Sequence, residues 1–229
     1  MINTNNISTE YQPIVNTKTL EIHSYEALSR FTDSAGNNLP PEPVFKLHST
    51  NQIELKNLEI ASKIIQLRDR PVGYPLFLNL SPHLIQDKKE QIYWANFFKN
   101  QDDIVVELVE REDKSLSHLN LMEEFKTRDV LFALDDFLCD NSVFCSLALI
   151  ASPYVKIDKN FLKRIKEDRS YESILKGILS YCEANNKIVI LEGIEDDEDL
   201  DIAKRNNVAL VQGFYFKNLF CLSSNLKTA

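Results

Sequence analysis

Tyr11-Gln12-Pro13-Ile14-Val15-Asn16-Thr17-Lys18-Thr19-Leu20-Glu21-Ile22-His23-Ser24-Tyr25 is the stretch that decides the fold. Residues 11–15 and 20–25 are both strand-like, and only Asn16, Thr17, Lys18 and Thr19 separate them. A parallel crossover needs about a dozen residues or more, so these two strands must pair antiparallel. Downstream the pattern changes. Short apolar runs recur at 76–80, 104–108, 131–134, 154–157, 188–191 and 208–211. Between them, segments 54–68, 83–98, 116–127, 144–151, 170–184 and 195–205 carry helical spacing. Strand alternating with helix means parallel strands covered by helices. Some eight strands in 229 residues fit a closed barrel better than an open sheet. The expected fold is α/β, a TIM-like (β/α)₈ barrel whose first strand is antiparallel.

Composition narrows the function. The chain is 44% hydrophobic and 26% charged, ordinary for a globular protein and wrong for disorder or coiled coil. With only 5 Gly and 8 Pro there is no linker-like stretch, so the expected organisation is a tail at 1–9 and one domain at 10–229. Lys+Arg 26 against Asp+Glu 34 gives a net charge of −8, which argues against a DNA partner held through many phosphates. Cys139, Cys145, Cys182 and Cys221 lie far apart without a C-x-x-C pair and read as reduced, mostly buried thiols. The first residues lack the basic and apolar regions of a signal peptide, and no apolar run reaches the roughly 18 residues of a membrane span. A cytoplasmic protein with no membrane partner is expected.

In such a barrel, chemistry sits at the C-terminal ends of the strands. Here the second strand runs into Glu26, and the following ones into Asn79, Glu107, Asp135-Asp136, Lys156 with Asp158, Glu192 and Gln212. One acid after a strand is a common loop start; seven successive strands ending this way imply a shared mouth. Glu26, Glu107, Asp135, Asp136 and Glu192 in one pocket would raise each other's pKa unless cations were present. Oxygen ligands without Cys or His select Mg²⁺ or Mn²⁺ over Zn²⁺. Adjacent Asp135 and Asp136 suit two ions about 3.5–4 Å apart, the arrangement for in-line displacement at phosphorus. Lys156 would supply positive charge to the attacking water or the phosphoryl oxygens. The chemistry indicated is phosphoester hydrolysis.

These residues resemble the EAL-domain family of cyclic di-GMP phosphodiesterases. Tyr11-Gln12-Pro13-Ile14 is similar to the family's opening, and Glu26-Ala27-Leu28-Ser29-Arg30 to its name-giving motif. Asn79-Leu80-Ser81, Glu107-Leu108-Val109-Glu110, Asp135-Asp136-Phe137, Lys156-Ile157-Asp158, Glu192-Gly193-Ile194-Glu195 and Gln212-Gly213-Phe214 follow in family order. The resemblance implies that Glu26, Asn79, Glu107 and Asp135 hold one metal, and Asp135 with Asp136 the second. It further implies that Lys156 positions the attacking water, Glu192 acts as a base or water-orienting ligand, Gln212 completes the substrate site, and Arg30 grips a substrate phosphate. Asp158 would support the second metal through water, and Glu110 would brace the loop after the paired aspartates. The implied partners are cyclic di-GMP and a second copy in a homodimer; the implied product is linear pGpG.

One departure bears on activity. Where family members continue Asp-Asp-Phe with Gly-Thr-Gly, this chain has Leu138-Cys139-Asp140-Asn141-Ser142, losing the free access to positive φ that glycine gives. Leu138 would adopt that conformation poorly. The alternative function is therefore a degenerate module that binds cyclic di-GMP or a protein partner without efficient hydrolysis. A further alternative, an unrelated metal-dependent barrel lyase, would require all strands parallel. The acidic run 195–199 reads as a negative first helical turn, residues 163–169 as a solvated helix face, and Tyr93, Trp94, Phe97 and Phe98 as helix packing. His23, His48, His83 and His118 share no spacing and are assigned no ligand role.

Overall fold

The computed structural model describes residues 6–85, 87–109, 116–140 and 146–222. Eight strands close into a barrel: β1 (Ile7–Asn16), β2 (Ile22–Thr32), β3 (Leu76–Asn79), β4 (Ile104–Val109), β5 (Leu131–Phe137), β6 (Tyr154–Ile157), β7 (Ile188–Leu191) and β8 (Leu210–Gln212). β1 pairs antiparallel with both β2 and β8, and every pairing from β2 to β8 is parallel. The reversed first strand is present, which excludes the all-parallel alternative. The link is residues 17–21, displaced from the expected 16–19 because β1 runs on to Asn16, whose Oδ1 closes the turn by accepting from Lys18 N at 2.9 Å and Thr19 N at 3.0 Å. That is the side-chain-to-backbone bonding expected of asparagine at a turn.

The helices are α1 (Pro41–His48), α2 (Gln52–Arg68), α3 (Lys88–Lys99), α4 (Leu116–Lys126), α5 (Ser146–Ala151), α6 (Lys159–Glu167), α7 (Tyr171–Ala184) and α8 (Asp197–Arg205). Two expectations, for the segment 83–98 and for the tail 1–9, need correction. The segment 83–98 is not one helix; a short 3₁₀ turn at Pro82–Leu84 precedes α3, which begins where Asp87 accepts from Glu90 N at 2.8 Å. The solvated helix face expected at 163–169 is present on α6, where Lys163, Lys166 and Glu167 are exposed while Phe161, Leu162 and Ile165 are buried. β1 starts at Ile7, so residues 7–9 of the expected tail are strand, with Ile7 and Thr9 buried. The acidic run does form a first turn: Asp196 and Asp199 make a reciprocal capping box on α8.

Two apolar layers hold the barrel. Inside it, Ile14, Phe77, Val105, Ala133, Ile190 and Leu210 pack together. Outside, the strands meet the helices through Leu78, Val106, Phe132, Val155 and Leu191, with Trp94 and Phe98 of α3 and Phe125 of α4 buried among them. Tyr93 is partly exposed, with Lys56 Nζ 3.8 Å above its ring. Of the described cysteines only Cys182 is buried; Cys139 and Cys221 are half-buried, so the expectation of mostly buried thiols holds for one of three. Tyr11 Oη donates to the Gln66 carbonyl at 2.9 Å, tying β1 to α2. Among the described residues, no helix is long and apolar enough to cross a membrane.

Gly213 fixes the end of β8. A Cβ there would stand 2.1 Å from the Ile194 carbonyl oxygen and 2.3 Å from Ile194 N, where the backbone of the β7–α8 loop crosses. Ile194 N donates to Gln212 O at 3.0 Å, and Tyr215 N to Ile194 O at 2.9 Å. Gly213→Ala must break this crossing. It is expected to lower unfolding free energy by about 1–3 kcal/mol, the range of overpacking, as measured by denaturant midpoint.

Candidate active site

Side chains two residues apart on a strand share a face. That period carries the barrel's apolar filling upward into the site. Phe77 is followed by Asn79, Val105 by Glu107, Ala133 by Asp135, Tyr154 by Lys156, Ile190 by Glu192 and Leu210 by Gln212. On β1, which runs the other way, Ile14 is preceded by Gln12, whose Cα pairs with that of Glu26. The inward polar groups therefore form the layer directly above the apolar plug. Glu26 is not at a strand end, as the sequence suggested. β2 continues to Thr32, and its ladder with β1 reaches Phe31.

Lys156 is the centre of the layer. It is 1% exposed, and its Nζ lies 2.5 Å from Glu107 Oε1, 2.9 Å from Glu192 Oε1, 3.0 Å from Asp135 Oδ1 and 3.3 Å from Glu26 Oε2. Burial alone would strip its proton. The charges of Asp135, Glu107, Glu192 and Glu26 instead hold its pKa well above the ordinary lysine value. Glu26 also accepts from Asn79 Nδ2 at 2.8 Å and Gln212 Nε2 at 2.6 Å. Burial pushes the Glu26 carboxyl up, but Lys156 and these two amides outweigh it and keep it below the usual range.

The other acids go the opposite way. Burial, then the Glu26 charge, drives Glu107 well above the carboxylate range. Asp135 is raised by burial, which Lys156 only partly offsets. Asp136 is pushed up to about 6 by burial and by Asp135, and Glu192 to about 8 chiefly by burial. One ammonium is too little charge for five acids. Both Glu107 oxygens and Asp135 Oδ1 are buried without an aligned hydrogen bond, despite the short approach of Lys156. One ligand oxygen each from Asp135, Asp136 and Glu192 lie within 4.8 Å of one another. Surplus charge, unsatisfied buried oxygens and an all-oxygen donor set fit hard divalent cations.

Asp136 and Leu138 both have left-handed backbones, with φ +53° and +66°. Aspartate tolerates this; for Leu138, half-buried against the core, it costs roughly 1–2 kcal/mol. The missing glycine is thus felt where the sequence placed it, at Leu138. Asn141 and Ser142, and the proposed brace Glu110, lie outside the described residues. Asp158 is buried, but its carboxylate caps α6, accepting from Asn160 N at 2.9 Å. Arg30 stands at the rim with Glu26, Asn79 and Ser81 along a pocket of about 390 Å³, its guanidinium paired with Glu10. Two features escaped sequence reasoning. Glu10 belongs to no motif, and only its inward register on β1 marks it. Glu59 and Lys63 on α2, spaced like a surface pair, form a buried ion pair at 2.7 Å on the pocket wall.

Comparison with known proteins identifies the family and the fold. The family model described as "EAL domain" matches residues 1–218. A probable cyclic di-GMP phosphodiesterase of Escherichia coli, PdeG, is 29% identical over 94% of this chain and 45% of its own length. The chain spans less than half the length of the curated relatives it matches. An EAL domain protein from Listeria monocytogenes superposes with a TM-score of 0.76 at 23% identity, over 93% of this chain and 87% of that one. A manganese and cyclic di-GMP complex of Klebsiella pneumoniae BlrP1 has a TM-score of 0.76 at 21% identity, over 95% of this chain and 56% of that one. These likenesses are to the same barrel.

The raised acids make a pH prediction. An acid whose pKa rises on folding stabilises the fold only while protonated, so stability falls as pH climbs from the unfolded value toward the folded one. For Glu192 that window runs from 4.5 to about 8. In EDTA the melting temperature should fall between pH 5 and 8, and Glu192→Gln should flatten the fall. Excess Mg²⁺ or Mn²⁺ should raise the melting temperature more at pH 8 than at pH 5, read by differential scanning fluorimetry.

Proposed function

The chain belongs to the EAL domain family, and on that premise we propose that it hydrolyses cyclic di-GMP to linear pGpG. The observation that carries this reading is the convergence of Glu26, Glu107, Asp135 and Glu192 on the buried Lys156, with more negative charge than one ammonium balances. Glu26, Asn79, Glu107 and Asp135 would hold one divalent ion, and Asp135 with Asp136 the other; Asp158, engaged in capping α6, would contribute through water. Bound Mg²⁺ or Mn²⁺ supplies a water of lowered pKa and offsets charge at the phosphoryl group.

The chain's own residues do the rest. Lys156, kept protonated by its neighbours, presents an ammonium to the attacking water and the non-bridging oxygens. Glu192, half-buried and 2.9 Å from Lys156 Nζ, would take the water's proton or orient the water. Gln212 and Asn79 orient Glu26 by donating to opposite oxygens. Arg30 would donate to a substrate phosphate from the rim. One water is added across the ester: its oxygen bonds to phosphorus, the P–O3′ bond breaks, and the 3′ oxygen leaves protonated. A homodimer belongs to the same proposal, supported by Leu147 and Ile150, apolar and exposed on α5.

The test is conversion of cyclic di-GMP to pGpG with Mg²⁺ or Mn²⁺, followed by chromatography. Glu26→Ala should cost more than about 100-fold, beyond what loss of an outer metal-site partner costs. Absence of product from folded protein in excess Mn²⁺, with cyclic di-GMP still bound, would leave the non-hydrolysing alternative. The strained Leu138 provides a second handle. Leu138→Gly exchanges roughly 1–2 kcal/mol of backbone strain for a comparable loss of packing. Stability should change little while the Mn²⁺ concentration for half-maximal turnover falls.

A further inference from the structure

The barrel rim holds an ion pair that no motif predicts. Because β1 runs against the other strands, its N-terminal residues reach the same rim as the C-terminal half of β2. Ile14 faces into the barrel, so Gln12 and Glu10 share its face. Their Cα partners on β2 are Glu26 for Gln12 and Leu28 for Glu10, while Arg30 pairs with Ser8. Glu10 and Arg30 thus stand diagonally on the inward side. Arg30 Nη2 donates to Glu10 Oε1 at 2.6 Å, and Nη1 to the Ser29 carbonyl at 3.1 Å. Arg30 lines the pocket that leads to Glu26 and Asn79.

We propose that Glu10 is an affinity-setting residue, an internal carboxylate that competes with the substrate's phosphate for the Arg30 guanidinium; this rests on the cyclic di-GMP reading above. A carboxylate and a phosphate present similar oxygens to the same N–H fork, so the guanidinium gains most from one when it releases the other. Charge acts in the same sense. Glu10 adds a further negative group to a mouth already lined by five acids on a chain of net charge −8. The pair is part-exposed, 37% for Arg30 and 25% for Glu10, so the exchange is shallow. Glu10 therefore weakens substrate capture without blocking it.

The experiment is calorimetric titration of cyclic di-GMP, in Ca²⁺ buffer, into the wild type, Glu10→Gln, Arg30→Ala and the double variant. Circular dichroism melts on all four establish folding. Glu10→Gln should bind about 2–5-fold more tightly, the span expected of a part-exposed ion pair, and the gain should vanish when Arg30 is already alanine. If the wild type binds and Glu10→Gln is unchanged or weaker, or if its gain survives in the Arg30→Ala background, competition at Arg30 is wrong while the substrate assignment stands. If none of the four binds, the substrate assignment falls and the role of Glu10 with it.

Discussion

A protonated amine enclosed by four carboxylates is the constraint on which this molecule depends. Lys156 has almost no contact with solvent, and its ammonium survives only because Glu26, Glu107, Asp135 and Glu192 come within 2.5–3.3 Å of it. The acids are equally dependent. Without Lys156, Glu107 and Asp135 would be buried anions with no compensating charge, a condition proteins avoid by protonation or unfolding. The balance is left incomplete on the negative side, and that incompleteness fits the divalent cations of the proposed function.

The barrel makes the arrangement possible. A layer of Ile14, Phe77, Val105, Ala133, Ile190 and Leu210 seals the space beneath, so the polar layer sits on an apolar floor and is open only above. Asn79, Glu107 and Asp135 each lie one strand repeat beyond a floor residue, and strand stiffness holds them there. The reversed first strand adds what an all-parallel barrel would lack. It brings Gln12 opposite Glu26 and carries Glu10 to the rim beside Arg30.

Much of this was legible in the chain. A link of four or five residues forces an antiparallel first pair, because Asn16 can close a turn but so short a link cannot cross a sheet. The inward acids and amides could be picked out because apolar runs lead into them. What could not be read was depth along a strand: Glu26 looked like an end because it is the first acid after the strand-like run, yet pairing with β1 carries β2 five residues farther, to Phe31. Asp87 was hidden inside a helical pattern that it interrupts by capping α3. Glu59 and Lys63 were hidden by their i, i+4 spacing, which describes a solvated pair as well as a buried one. Glu10 and Arg30 are 20 residues apart and meet only through register, a tertiary fact that no local pattern contains.

The most direct measurement is manganese anomalous diffraction from a crystal soaked in Mn²⁺. Two anomalous peaks are predicted in the barrel mouth, one against Glu26, Asn79, Glu107 and Asp135 and the other against Asp135 and Asp136. A mouth without anomalous density, its carboxylates still gathered on Lys156 alone, would contradict the account.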